Sequence, residues 1–308
     1  MSAALRILQG RFGRAALLDM DRPLVTHAHH HCHVLLKAHG ADTRFVVGDQ
    51  ICPLDDDTAV LVNAWESHSY EHYPGAPETY ILAMYVEPAW LADIDRAFLG
   101  SALPGFFPQR CIRVSPEISR CARVLVDLMT CEVTLDVDEI ESVIFALMIA
   151  VIERFSAWRE GRARPLAGFG VGDHRVRRAI GIMKTNLGQP QDMTTLAAEA
   201  GLSRPHFFHL FKRTTGLTPG VYHNVLRFER AVAELSASDR NIGEIAIDLG
   251  FDTPGNFTRF FRQHLGIAPS EYRRVVDLFA PEVGASRSAG ILGTIPVGAP
   301  AVDFQTLG

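Results

Sequence analysis

Asp192 to Pro219, DMTTLAAEAGLSRPHFFHLFKRTTGLTP, is the stretch on which the reading of this chain turns. Asp192 can cap a short helix by accepting its free backbone N–H groups, Leu196 and Ala197 fall on that helix's inward face, and Gly201 permits the tight turn that ends it. Ser203 then opens a second helix with Phe207, Leu210 and Phe211 inward. Its outward residues are Pro205, His206, Phe208, His209 and Lys212. A helix, a glycine-containing turn and a second helix form the arrangement whose second helix fits the major groove of DNA.

The pattern returns about 50 residues later in Asn241 to Pro269, NIGEIAIDLGFDTPGNFTRFFRQHLGIAP. Asn241 and Glu244 approximate a capping box, Ile245 and Ala246 repeat Leu196 and Ala197, and Gly250 repeats Gly201. Asp252 is expected to cap the second reading helix, whose apolar face is Phe257, Phe260 and Phe261. Between the two units, Val221 to Ser236 reads as one long helix with Tyr222, Val225, Leu226, Ala231 and Leu235 as packing residues. Such a helix fixes the spacing of the readers, so one chain can touch two turns of duplex about 34 Å apart.

Two motifs carry a family resemblance: AxxAGLSxxHFxxLFKxxTGxTPxxYxxxLR from Ala197 to Arg227, and IAxDLGFxxxxNFTRFFRxxxGxxPxxYR from Ile245 to Arg273. Residues from roughly 175 to 275, a third of the chain, resemble the DNA-binding domain of the AraC/XylS regulators. The resemblance implies a seven-helix domain with base readers at Pro205, His206, Phe208 and His209 in the first unit, and at Pro254, Gly255, Thr258 and Arg259 in the second. Chemistry ranks Arg259 first, because its guanidinium offers a bidentate fork to guanine, whereas Pro205 and Phe208 offer only shape or contact with a thymine methyl. Lys212, Arg213 and Arg262 suit phosphate; Arg227 and Arg273 suit either phosphate or a structural role. His209 stands where many family members carry Arg.

Charge agrees with a polyanion partner for this segment alone. Residues 172–275 hold 14 Lys and Arg against 10 Asp and Glu, while residues 1–171 hold 15 against 22. The chain has 308 residues, 47% of them hydrophobic, which is enough for two domains with cores of their own. It shows neither a signal peptide nor a charge-free apolar run of about 20 residues, so a cytoplasmic protein with no membrane partner is expected. Cys32, Cys52, Cys111, Cys121 and Cys131 form an odd set without a CxxC pair, and are read as reduced and structural.

From Leu24 to Val86 turn signals cut the sequence into short apolar stretches, the signature of antiparallel β structure. Glu78 to Glu87, ETYILAMYVE, is apolar on both faces, as in a strand buried within a small closed barrel. Ser115-Pro116 then opens a helix. In the next helix Ile140, Val143, Ile144, Leu147, Met148, Val151, Ile152 and Phe155 form a stripe suited either to a homodimer seam or to covering the barrel. The fold class expected is α+β: a β-barrel and two helices in residues 1–160, a linker at 161–172, an all-α DNA-binding domain at 173–276, and an unordered tail at 277–308.

Eight of the 13 histidines lie between positions 27 and 72. On an extended strand His27, His29, His31 and His33 would share one face, bringing imidazoles together as a metal site requires. The segment resembles the cupin-like sensor barrel of the same family, with His27, His29, His33 and Gly40 on the first cupin motif and His68 on the second. It departs from that pattern in having His33 where a Glu is usual, Asp21 for a Gly, Asn63 and Trp65 for a Pro and a Gly, and His72 for an Asn. Three readings stay open: a divalent-metal site at His27, His29, His33 and His68; a metal-free pocket for a small-molecule effector, with Trp65 and Tyr70 beside the same histidines; and a structural set.

A DNA-binding transcription regulator follows, expected to act as an activator on double-stranded DNA with RNA polymerase as the partner the family implies, and to answer to an effector in the barrel. A metal-responsive regulator and a cupin-type metalloenzyme are the alternatives. Catalysis is not expected, because fusion to a DNA-binding domain already accounts for a ligand pocket.

Overall fold

The computed structural model describes residues 2–279, except 74, 94, 104, 132–134, 157–172 and 190. The expected linker and the tail from residue 280 onward lie outside the described residues.

The N-terminal half is a cupin-like barrel of two sheets. Its strands are β1 (Ala3–Gly10), β2 (Gly13–Met20), β3 (Cys32–Gly40), β4 (Thr43–Val47), β5 (Gln50–Leu54), β6 (Thr58–Val62), β7 (His68–Glu71), β8 (Thr79–Val86) and β9 (Cys111–Arg113). The larger sheet runs β10-β1-β2-β8-β3-β6-β9, where β10 is Val276–Leu278, and the smaller runs β5-β4-β7. β8 sits mid-sheet between β2 and β3. Its two faces serve two cores: Ile81, Ala83 and Tyr85 join the barrel interior with Phe45 and Tyr70, while Leu82, Met84 and Val86 join the layer beneath the helices. The β1–β2 hairpin, in a segment for which the sequence suggested no structure, supplies a full edge of this sheet.

A short helix α1 (Pro88–Ala92) precedes α2 (Pro116–Thr130) and α3 (Val137–Phe155). Ser115 caps α2, its Oγ accepting the Ile118 N–H at 3.3 Å, with Pro116 in the first turn where no hydrogen bond is lost. The α3 stripe does not form a free dimer seam. Ile140, Ile144, Leu147, Met148, Val151 and Ile152 are buried in one core with Leu82, Met84 and Ile118 of the same chain, because the outer face of the larger sheet needs a cover.

The C-terminal domain comprises α4 (His174–Thr185), α5 (Met193–Glu199), α6 (Arg204–Thr215), α7 (Pro219–Ala237), α8 (Ile242–Asp248), α9 (Pro254–Leu265) and α10 (Pro269–Val275). It is not separate from the barrel. Phe228, Val232, Phe257, Phe261 and Tyr272 share a continuous apolar core with Ile7, Leu18, Tyr70 and Tyr85, and β10 pairs in parallel with β1, Ile7 opposite Val276. The Tyr272 hydroxyl donates to Gln9 Oε1 at 2.8 Å, and Arg6 Nε meets Asp277 Oδ2 at 2.7 Å. An unordered tail from 277 is therefore corrected: Asp277 and Leu278 complete β10, and the Phe279 N–H donates to the Gln9 carbonyl. Sheet-edge hydrogen bonds hold a segment of three residues, too short to signal a strand by its own pattern.

Candidate nucleic-acid interface and histidine nest

Both reading units fold as helix, turn, helix for reasons local to the chain. Asp192 accepts the N–H groups of Thr194 and Thr195 at the start of α5, and Asn241 accepts that of Gly243 at the start of α8. Gly201 and Gly250 take φ of +71° and +75°, which side chains disfavour and the turns demand. Two capping expectations are corrected. Ser203 makes no side-chain cap bond to α6, and α9 is capped by Thr253, whose Oγ1 accepts the Asn256 N–H at 3.2 Å, rather than by Asp252.

Phe207, Leu210 and Phe211 of α6, and Phe257 and Phe261 of α9, are buried. That leaves Pro205, His206, His209, Lys212 and Arg213 exposed on α6, and Pro254, Gly255, Arg259 and Arg262 exposed on α9, with Thr258 half-buried. Phe208 is not a free outward residue: it is half-buried, edge-on to Phe207 at 6.0 Å and beneath the Arg204 guanidinium at 5.3 Å. Arg227 is structural, its Nε donating to the Leu249 carbonyl at 2.7 Å and its guanidinium lying 3.7 Å over the Phe251 ring. Arg273 is half-buried, with Nε and Nη2 lacking a hydrogen-bond partner among the described residues.

At the barrel rim, His27, His29 and His68 converge. Each offers one ring nitrogen, and these nitrogens lie within 4.8 Å of one another. Strand alternation is not the cause, since β3 begins only at Cys32 and residues 27–31 are loop apart from one bridge, in which His27 and His68 exchange backbone hydrogen bonds of 2.9 and 2.8 Å. His33, on β3, sits one step back, its ring 5.6 Å from His29 and 5.5 Å from His68 and stacked on Tyr85 at 4.0 Å. His31 turns away to Glu87, with Nε2 3.2 Å from Oε2.

His27 Nδ1 donates to the Val25 carbonyl at 2.7 Å and His68 Nδ1 to the Glu66 carbonyl at 3.0 Å, so each ring presents Nε2 as a lone pair. Both nitrogens of His29, both of His33 and Nε2 of His68 are buried without a hydrogen-bond partner among the described residues. Burial and the neighbouring imidazoles hold His27, His29 and His33 well below the ordinary histidine range, and burial takes His68 down to about 4. The nest is neutral at physiological pH. A set of neutral, unpartnered imidazole nitrogens is the donor set that a divalent transition metal takes.

The effector residues expected beside the nest divide. Tyr70 lies in the barrel core against Phe45, its hydroxyl 3.0 Å from His72 Nδ1. Trp65, at a φ of +63°, leaves the barrel and stacks on Tyr222 of α7 at 4.6 Å, edging a cleft of about 360 Å³ shared with Asn63, Phe107, Arg110 and Thr215. No local sequence signal pointed to the residues that arrive from the other domain. Phe228 and His264 lie 6.0 Å from His29 and His27, and Glu229 Oε1 lies 3.7 Å from His29 Nδ1. Arg14 is 4% exposed, its guanidinium 3.9 Å over Tyr85, with Nε and Nη2 unpartnered among the described residues. Burial opposes its charge, while Tyr272, Tyr85 and Glu229 more than restore it.

Two helix-turn-helix units on one helical scaffold define a DNA-binding regulator, and a helix-turn-helix domain model matches residues 196–275. That domain is of the AraC/XylS type found in transcription regulators. Among its relatives, the transposon Tn10 TetD protein of Escherichia coli is 37% identical over 89 residues, 29% of this chain and 64% of that protein's length. The transcriptional activator RhaS of Salmonella heidelberg is 26% identical over 255 residues, covering 81% of this chain and 87% of that one. ToxT of Vibrio cholerae shares the fold, with a TM-score of 0.50 at 12% identity over 85% of this chain and 96% of its own. Among the described residues no helix is long and apolar enough to cross a membrane.

Proposed function

We propose that this regulator is a sequence-specific transcription activator whose output is set by a ligand held in the His27, His29 and His68 nest, and that the ligand is a divalent transition metal ion. The observation that carries the reading is the set of buried ring nitrogens, unpartnered on His29, His33 and His68 and within 4.8 Å of one another for His27, His29 and His68. That spacing suits an ion better than an organic molecule. Buried polar atoms without partners also cost about 1–3 kcal/mol each, a cost that a coordinated ion removes. On the DNA side, Arg259 is the principal base reader, supported by Thr258, Pro254 and Gly255, with His206 and His209 on the first unit and Lys212, Arg213 and Arg262 on phosphate. Activation proceeds through RNA polymerase, as the likeness to an activator over most of its length supports.

A second reading is favoured by Arg14, whose buried guanidinium keeps Nε and Nη2 unpartnered among the described residues and suits an anionic small-molecule effector. Metal analysis and operator binding decide between the two. The metal reading expects bound metal in the purified protein, a rise in Tm on adding zinc, nickel, manganese or iron(II) to stripped protein, and changed operator affinity. Stripped protein that takes up none of these ions, with an unmoved Tm, defeats it and leaves the anionic effector.

A further inference from the structure

A second cluster lies beside the nest and belongs to both domains. The rings of His30 and His31, from the loop before β3, lie 3.7 Å apart and tilted by 39°, near Glu229 on α7, and each of the three residues offers one ligand atom within 4.8 Å of the others. Glu229 Oε1 is 3.8 Å from His30 Nδ1, too long for a hydrogen bond, and it is buried with no hydrogen-bond partner among the described residues. His31 Nδ1 is likewise buried and unpartnered. The opposite nitrogen of that ring, Nε2, is 3.2 Å from Glu87 Oε2. A carboxylate behind an imidazole is the support that orients a metal-ligating histidine and makes it more basic.

We propose that His30, His31 and Glu229 form a divalent-metal clamp that ties the barrel to α7, at a site separate from the His27, His29 and His68 nest. Zinc bonds of about 2.0–2.1 Å place neighbouring ligand atoms about 3.3 Å apart, so the ion draws in a cluster that is already close. The Glu229 carboxylate, with the Glu87 carboxylate behind the His31 ring, offsets the double positive charge. Water or a solute completes the coordination. The consequence is mechanical: α7 joins the two reading units, and Glu229 lies one residue after Phe228, which is buried in the core shared with the barrel. An ion in the clamp fixes that helix to the barrel rim.

The clamp stands or falls apart from the barrel nest, and the test keeps them apart. In the full chain, His27→Ala with His68→Ala removes the nest; zinc uptake is then measured by equilibrium dialysis, and amide exchange of residues 27–33 and α7 is followed with and without zinc. The double variant is expected to keep about one equivalent of zinc and to show slowed exchange in both segments together. Adding Glu229→Gln, which conserves shape, or His30→Asn is expected to abolish both effects. Loss of all zinc binding in the double variant overturns the clamp while supporting the nest. Undiminished binding after Glu229→Gln and after His30→Asn overturns it as well.

Discussion

At the scale of single residues, Arg259 and Gly250 carry the sharpest expectations. Arg259 is exposed on the outward face of α9, and a guanidinium reading guanine discriminates by about 1–3 kcal/mol. Arg259→Ala is therefore expected to weaken cognate binding by that amount and to relax preference at one base pair, whereas Arg262→Ala weakens all sequences alike and lowers the salt slope by about one. Binding to cognate and scrambled duplexes across a salt series separates them; an unchanged ratio for Arg259→Ala removes it from the readers. Gly201 and Gly250 look equivalent in sequence and are not. A Cβ on Gly201 meets nothing within 4 Å, but one on Gly250 would lie 2.6 Å from the Gly188 carbonyl oxygen. Each substitution to Ala incurs the left-handed cost of about 1–2 kcal/mol, and Gly250→Ala is expected to destabilise by clearly more in urea unfolding.

At the scale of elements, the start of α9 shows what sequence can and cannot fix. Aspartate and threonine at 252 and 253 are both good caps, and the choice depends on where the backbone first turns helical. The structure selects Thr253, so Thr253→Ala is expected to cost about 1 kcal/mol and Asp252→Ala almost nothing, with Ser203→Ala on α6 also near neutral because its hydroxyl caps nothing. Thermal unfolding of the three variants checks the order. The units themselves were legible because their causes are local: caps, positive-φ glycines and apolar positions three and four apart all fall within about 28 residues. The α3 stripe was legible as a stripe, yet its partner was not, since the same periodicity serves a second copy or the chain's own sheet.

At the scale of the whole molecule, the histidine nest makes stability depend on pH with a definite sign. His68 titrates near 4 in the folded protein against 6.5 unfolded, and His27, His29 and His33 are also pushed far down by burial. The unfolded chain thus binds protons that the native state refuses, and metal-free protein is expected to lose stability progressively as pH falls from 6.5 toward 4. Urea midpoints across that range should fall steeply, and more gently once His29 and His33 are replaced by Gln; equal slopes would mean the nest does not govern the effect. Phe228 is fully buried where α7 meets the barrel. Phe228→Ala is expected to cost about 3–5 kcal/mol and to loosen the DNA-binding domain from the barrel, read as faster amide exchange in β10 and α7.

The sequence by itself determined the two reading units, their exposed basic and polar faces, the barrel's central strand and the clustering of histidines near the N-terminus. Each rests on contacts between near neighbours in the chain or on bare residue count. Only the tertiary structure decided that His33 stands back from the nest, that Trp65 leaves the barrel for Tyr222, that β10 closes the sheet edge, and that Glu229 and Phe228 meet histidines about 200 residues away. Those outcomes follow from burying one domain's apolar surface against the other's, a pairing for which no local pattern carries a signal.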